Sequence, residues 1–273
     1  MGVKSFRVVV ELNRPIVLVS DLHIGTNDCD TLRIRSDVEF FRSINALVFI
    51  NGDLFDAILP TDNRYETAAH IVDGSRNDLV NQAVEIAVRL LSPLGDNLAM
   101  VGVGNHEYKV TRNYHVDLIK IFHYLYHRET GHSFELGDYH GFVQFHVPEF
   151  RMTKRQSNYM MYYHHGWGGS SSKSGTKLAL NDLRSRTVAD IYWIGHKHQT
   201  AVYSESRLEP PKYGTGYATE REEWLVSTGS YLKPATKLEH SYASYAVRGG
   251  MVTTSSRPYL ILKFTEGGVK WEI

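Results

Sequence analysis

Residues 48–56 read Val48-Phe49-Ile50-Asn51-Gly52-Asp53-Leu54-Phe55-Asp56. The apolar run from Ala46 to Ile50 has the length of a buried strand, and it breaks abruptly at Asn51-Gly52-Asp53. Glycine at this point permits a tight turn and leaves room for a bulky neighbour beside the backbone. Asp53 is therefore a carboxylate at the carboxyl end of an interior strand, where open α/β sheets bind their ligands. A Gly-Asp pair after a strand is more often a turn with an Asx hydrogen bond than a metal site. Recurrence separates the two readings.

The same device returns along the chain. Ile16–Ser20 is a strand ending at Asp21-Leu22-His23-Ile24-Gly25, and Asp21 and His23, two apart in an extended segment, face the same side. A carboxylate beside an imidazole suits Zn, Mn or Fe. Leu98–Val103 ends at Gly104-Asn105-His106-Glu107, Met160–Tyr163 at His164-His165-Gly166, and Asp190–Ile194 at Gly195-His196-Lys197-His198. Each strand stops at glycine plus metal-ligand residue types, which would bring carboxylate, amide and imidazole groups to one rim of one sheet.

Between these strands, apolar spacing predicts helices over Ser36–Ile44, from a capping box at Ser75-Arg76-Asn77-Asp78 to about Leu91, over about Tyr114–His127, and over about Thr176–Arg186. Leu59–Gly74 is polar and reads as a loop. Alternation of strand and helix argues for a parallel-type α/β layer. Further strands are expected at Arg7–Leu12, Phe142–Val147, Ala201–Ser204, Glu223–Ser227, Ser244–Val247, Tyr259–Phe264 and Val269–Ile273. His123 and His127 are four apart but share a polar helix face with Lys120, so they read as solvated. The Gly/Ser-rich loop Trp167–Gly175 lacks the Gly-Lys-Ser/Thr ending of a nucleotide P-loop. It can still let backbone N–H groups approach an anion near Lys173.

Composition narrows the class. The chain has 273 residues, 42% of them apolar, with thirty basic residues against thirty acidic ones. That balance argues against a general polyanion binder or a membrane-surface protein. Cys29 is the lone cysteine, which excludes an internal disulfide and a thiolate metal cage. With no apolar leader or membrane-length run, a cytoplasmic protein is expected, with no membrane partner. No linker or repeat interrupts residues 1–273, so one domain is expected.

Several neutral nitrogens beside carboxylates, without thiolate, suit Mn²⁺, Fe or Zn²⁺, whereas Ca²⁺ favours oxygen ligands alone. The donors exceed what one ion accepts, so two ions sharing a carboxylate are expected. Two metals about 3.5–4 Å apart activate a bridging water and clamp a phosphoryl group during in-line attack.

Asp21-Leu22-His23, Gly52-Asp53-Leu54-Phe55-Asp56, Gly104-Asn105-His106-Glu107, His165-Gly166 and Gly195-His196-Lys197-His198, in that order, resemble the blocks of the calcineurin-like metallophosphoesterase superfamily. The resemblance covers roughly the first two hundred residues. It implies a four-layer α/β/β/α sandwich of two mixed sheets flanked by helices, with the strand-rich part 199–273 completing the second sheet. It implies that Asp21, His23 and His198 hold a first metal, that Asp53 bridges, and that Asn105, His165 and His196 complete a second. His106 would protonate the leaving oxygen, with Asp56 orienting its ring. Mn²⁺ is the favoured ion, ahead of Fe, Zn²⁺ or Mg²⁺. His164 competes with its neighbour, although the residue directly before the glycine is favoured.

Departures refine the resemblance. The Arg-Gly pair of the Ser/Thr protein phosphatases is replaced here by Ala57-Ile58. Asp-Leu-His-Ile-Gly and Gly-Asp-Leu-Phe-Asp look more like bacterial and phage phosphoesterases and DNA-repair nucleases. The expected substrate is a phosphomonoester or phosphodiester, small molecule or nucleic acid, with Arg112, Lys173 and Lys197 as candidate phosphate contacts. The alternatives are a repair-exonuclease-type nuclease, tempered by the neutral charge, and a catalytically silent binding module on the same fold.

Overall fold

The computed structural model describes residues 2–57, 78–152, 157–168, 172–211, 214–233 and 257–273. Its elements run β1 (Ser5–Val9), β2 (Ile16–Val19), α1 (Thr31–Ser43), β3 (Leu47–Ile50), α2 (Leu79–Leu91), β4 (Leu98–Val101), α3 (Asn105–Tyr114), α4 (Leu118–Thr130), β5 (Glu135–Leu136), β6 (His140–His146) and β7 (Asn158–His164). They continue with α5 (Lys173–Arg186), β8 (Ile191–Ile194), β9 (Ala201–Glu209), β10 (Thr219–Ser227), β11 (Leu260–Thr265) and β12 (Gly268–Glu272).

The strands form two six-stranded sheets, in the orders β1-β6-β7-β8-β10-β9 and β12-β11-β2-β3-β4-β5. Strands β7, β8 and β10 run parallel in the first, and β2 to β5 in the second. Antiparallel neighbours at β6, β9 and β11 make both sheets mixed. The predicted parallel layer is thus three adjacent strands of the first sheet and four of the second. Strands β2, β3 and β8 are buried on both faces, which is why they are written as unbroken apolar runs.

Three cores account for four layers. Alternate residues of β2 divide between two of them, as the two-residue period of a strand requires. Leu18 joins Phe49, Phe145, Trp193 and Leu262 between the sheets. Val17 joins Val38, Val84 and Phe122 under α1, α2 and α4. On the far side of the first sheet, Tyr162, Leu180, Leu183 and Tyr192 pack beneath α5. The expected α/β/β/α sandwich is what forms.

Two helices depart from expectation. Helix α1 starts at Thr31 because the Asp30 side chain caps it, accepting from the Arg33 N–H at 3.1 Å. The helix expected over residues 114–127 forms as α4, starting at Leu118 behind the Asp117 cap, and α3, which ends at His115 with φ 56°, is a further helix beyond those expected. The expected loop at 59–74, the capping-box residues before Asp78 and the strand at 244–247 lie outside the described residues. No helix among the described residues is long and apolar enough to cross a membrane.

Trp193 is fully buried between the sheets, and its indole N–H donates to Thr228 Oγ1 at 3.1 Å. Trp193→Ala should cost about 3–5 kcal/mol of stability, the usual range for emptying a large aromatic site. Urea unfolding monitored by circular dichroism measures it.

Candidate metal centre

The carboxyl ends of β2, β3 and β4 in one sheet and of β7, β8 and β10 in the other lie at a common rim. The rim therefore belongs to two stacked sheets, and the expectation of a single sheet edge is corrected. Asp21, Asp53 and Asn105 come from the second sheet; His165, His196 and His198 come from the first. Asp21 and His23 are tied to the neighbouring loop by N–H bonds to Gly52 O and Asp53 O, at 3.1 and 3.0 Å. Gly52, at φ 74°, and Gly104 lie back to back. A Cβ on Gly52 would stand 2.6 Å from Gly104 Cα and from His165 Nδ1, and one on Gly104 would overlap the Asp53 carboxylate and backbone N.

Among the described residues, nine non-glycine positions have positive φ, and five of them are Asp21, His23, Asp53, His196 and His198. The left-handed region costs an ordinary residue roughly 1–2 kcal/mol. Such strain persists where the surroundings over-determine it, and it gathers at functional sites. Here it aims side chains inward from strand ends that would otherwise point them along the strand.

Asp21 Oδ1 lies 3.2 Å from His198 Nε2 and 3.9 Å from His23 Nε2, and the two nitrogens are 3.4 Å apart. A point equidistant from all three lies about 2 Å from each, a divalent ion's bond length to imidazole nitrogen or carboxylate oxygen. The second group gathers at Asp53. His165 Nε2 is 3.2 Å from Asp53 Oδ2 and 3.1 Å from Asn105 Oδ1, and the His196 ring centre is 5.4 Å from that of His165. Ligand atoms of Asp21, His23 and His198, of His23, Asp53 and His106, and of Asp53, His165 and His196 each fall within 4.8 Å of one another. Asp53 and His23 each belong to two of these groups.

The hydrogen bonds decide which atoms face inward. His165 Nδ1 lies 2.8 Å from Asn51 O, and His196 Nε2 lies 3.0 Å from Gly168 O. A carbonyl accepts only, so these nitrogens carry the hydrogens and the opposite ring nitrogens are turned to the centre. This is how metal-ligating histidines are usually braced. Asp21 Oδ2 accepts from the Ser20 hydroxyl and from His196 N–H, while Oδ1, fully buried, has no hydrogen-bond partner among the described residues. Asp53 Oδ1 accepts from the His106 N–H at 3.0 Å, leaving Oδ2 for the histidines. A buried carboxylate oxygen without a donor is costly, and a cation is the natural answer to it. Two carboxylates, an amide oxygen and imidazoles make a donor set that fits first-row divalent ions.

The electrostatics agree. Burial pushes the Asp21 carboxyl up, but His198 and His165 outweigh it and hold it at about 2. Burial acts likewise on Asp53, and His165 and His106 bring it well below the usual carboxylate range. Burial disfavours charge on His165, yet Asp53 and Asp21 hold its proton up to about 10. The centre is a buried anionic site that draws positive charge.

His106 stands beside the two groups, with Nε2 4.0 Å from Asp53 Oδ2. Its Nδ1 is hydrogen-bonded to the backbone carbonyl of Asp56, and the Asp56 carboxylate is 3.8 Å from that nitrogen and 3.4 Å from His23 Nδ1. Asp56 thus meets the His106 ring first through its main chain. His164 turns away from the centre: its Nδ1 accepts from Gly166 N–H at 2.9 Å, its ring stacks on His140, and burial lowers it to about 4. Lys197 Nζ donates to Trp167 O at 2.6 Å, while Arg112 and Lys173 are exposed.

The residue pattern assigns no role to the other contributors. Glu107 is buried and accepts from the backbone N–H groups of Asp53, Phe55 and Gly104 at 2.8–3.1 Å. Burial and the Asp53 charge raise it to about 7. Its place three residues after the N-cap Gly104 is the capping-box position, the one clue available. Thr228, Ser230 and Tyr231, beyond β10, also buttress Asp21: Thr228 Oγ1 is 2.6 Å from Ser20 Oγ, and Ser230 Oγ–H and Tyr231 N–H donate to Asp21 O.

No family model and no curated protein matches the chain. Among solved structures it is similar to "GAP50 the anchor in the inner membrane complex of Plasmodium", at 12% identity and TM-score 0.44 over 96% of this chain and 84% of that one. It is also similar to the calcineurin-like phosphoesterase YfkN from Bacillus subtilis, at 13% identity and TM-score 0.36 over 95% and 88% of the two chains. A metallophosphoesterase from Sphaerobacter thermophilus aligns at 10% identity and TM-score 0.34 over 94% and 87%. Resemblance this distant says nothing of the chemistry, which rests on the residues above.

Asp53 belongs to two of the three groups, whereas Asp21 and His196 each belong to one. Elemental analysis of purified variants at these positions should show the largest metal loss in Asp53→Asn. Two full equivalents retained in that variant would remove Asp53 from the shared position.

Proposed function

We propose that the chain is a two-metal phosphoesterase that hydrolyses a phosphomonoester or phosphodiester. What supports this is a set of three linked ligand groups at one rim, in which His23 and Asp53 each belong to two, with the His106 imidazole within reach of Asp53. Asp21, His23 and His198 would hold one ion and Asn105, His165 and His196 the other, with Asp53 between. Mn²⁺ heads the candidates, the same donor set also suits Fe and Zn²⁺, and Mg²⁺, which prefers oxygen ligands, comes last. When bound, the ions supply Lewis-acid charge for the phosphoryl oxygens and acidify the attacking water.

The chain's own residues do the rest. His106 delivers a proton from Nε2 to the leaving oxygen, its ring aimed by the Asp56 carbonyl at Nδ1. Its N–H bond to Asp53 Oδ1 fixes the spacing between proton donor and metal ligand. Glu107 keeps the Asp53 loop and Gly104 in register through three backbone N–H groups.

A general acid is worth about 10²–10⁴-fold in rate. His106→Ala should lose turnover by about that factor while its metal content by elemental analysis stays that of the wild type. The assay is a panel of phosphomonoesters, phosphodiesters and DNA with Mn²⁺, Fe²⁺, Zn²⁺ or Mg²⁺. Unchanged turnover in the variant removes His106 from the reaction. A metal-loaded wild type that cleaves none of them leaves a binding module.

A further inference from the structure

Between the end of β7 and the last turn of α5 lies a cavity of about 330 Å³, walled by Tyr139, Tyr162, His164, Trp167, Leu183 and Arg186. Its volume is at the lower end of small-molecule pockets. Four of those walls are flat rings. Trp167 is 38% exposed, so its indole is presented to a neighbour rather than spent on the core. The segment that carries it is fixed: Lys197 Nζ holds the Trp167 carbonyl at 2.6 Å and His196 Nε2 holds that of Gly168 at 3.0 Å.

The polar groups in the wall are specific. His164 Nδ1 accepts the Gly166 N–H, so its ring hydrogen sits on Nε2, a donor for a ring nitrogen or carbonyl of a heterocycle. Arg186, paired with Asp182 at 2.8 and 3.1 Å, adds a planar cation of the kind that stacks on aromatic faces. One ring separates the cavity from the metal centre. Tyr139 lies edge-on to both His164 and His165, at 5.4 and 5.5 Å, and its hydroxyl donates to Gly166 O at 2.8 Å.

We propose that this cavity takes the base of a nucleotide whose phosphate lies at the metal centre, so that the substrate is a nucleotide or nucleotidyl ester. The proposal rests on the phosphoesterase reading and narrows its substrate class. Glycerol phosphate has no flat face to lay against these rings, and a plain aryl phosphate offers His164 Nε2 no acceptor. The ribose of a nucleotide spaces base from phosphate, as Tyr139 spaces cavity from centre.

Calorimetric titration of the full chain, metal-loaded and chelated, with adenosine, AMP, phenyl phosphate and glycerol 3-phosphate tests it. Adenosine is expected to bind even the chelated protein, and AMP to bind more tightly than adenosine once metal is present. Trp167→Ala should weaken adenosine binding by about tenfold or more, the usual loss of a stacking ring, and Trp167→Phe should restore most of it. An unchanged melting temperature shows that the variants fold. Adenosine that fails to bind, or binds wild type and Trp167→Ala alike, overturns the proposal, as does phenyl phosphate binding as well as AMP. Adenosine binding intact in a chain that hydrolyses no phosphoester overturns the enzymatic reading and leaves the base site standing.

Discussion

Asp21 and Asp53 are buried, ionised and faced by imidazoles from the opposite sheet, and the rest of the rim is arranged around that fact. A charge removed from water must be met by an opposite charge and by hydrogen bonds. The Asp21 and Asp53 carboxylates come from the second sheet, and His165 and His198 answer them from the first. The seam between the sheets is filled by apolar side chains such as Leu18, Phe49, Phe145 and Trp193, and the buried carboxylates stand at its rim. Strained backbone at five of the participating residues is the further cost of pointing them there. The large inter-sheet core, with Phe49, Phe145 and Trp193 at its centre, supplies the stability that tolerates such strain.

Much of this was legible in the sequence because interior strands are short, apolar and sharply ended. Ile16–Val19, Leu47–Ile50 and Ile191–Ile194 are recognisable as runs, and the residues just past each run must lie at a strand end. Helix α3 was not legible. Val110 is its one buried apolar residue, and its other buried side chains are the polar His106 and Glu107, so no apolar stripe marks it. Its first residue is Asn105, and the Gly104-Asn105-His106 stretch reads as a turn unless one knows that Glu107 caps it. The supports from Thr228, Ser230 and Tyr231 were hidden for another reason: Ser and Thr hydroxyls bonding to a distant backbone leave no periodicity to detect.

Strand β7 shows how one residue of chain divides two roles. Side chains alternate across a strand, and the alternation carries on past its end. His165 enters the metal centre, fully buried, while His164 faces the helix side with Tyr162 and the rings around the cavity. Two adjacent histidines that look redundant in the sequence serve different surfaces. Gly166, at φ 119°, then turns the chain so that Trp167 and Gly168 can reach back to Lys197 and His196.

The bonds from Ser230 and Tyr231 to Asp21 O join residues more than two hundred positions apart. A nascent chain leaving the ribosome carries Asp21 and His23 long before their buttress exists. The early strands can pair and the Gly52-Asp53 loop can hold Asp21 and His23, but the bonds to Asp21 O cannot form until the chain past β10 has been synthesised and inserted. Full bracing of Asp21 therefore comes late in maturation, because it waits on contacts between residues far apart in the chain.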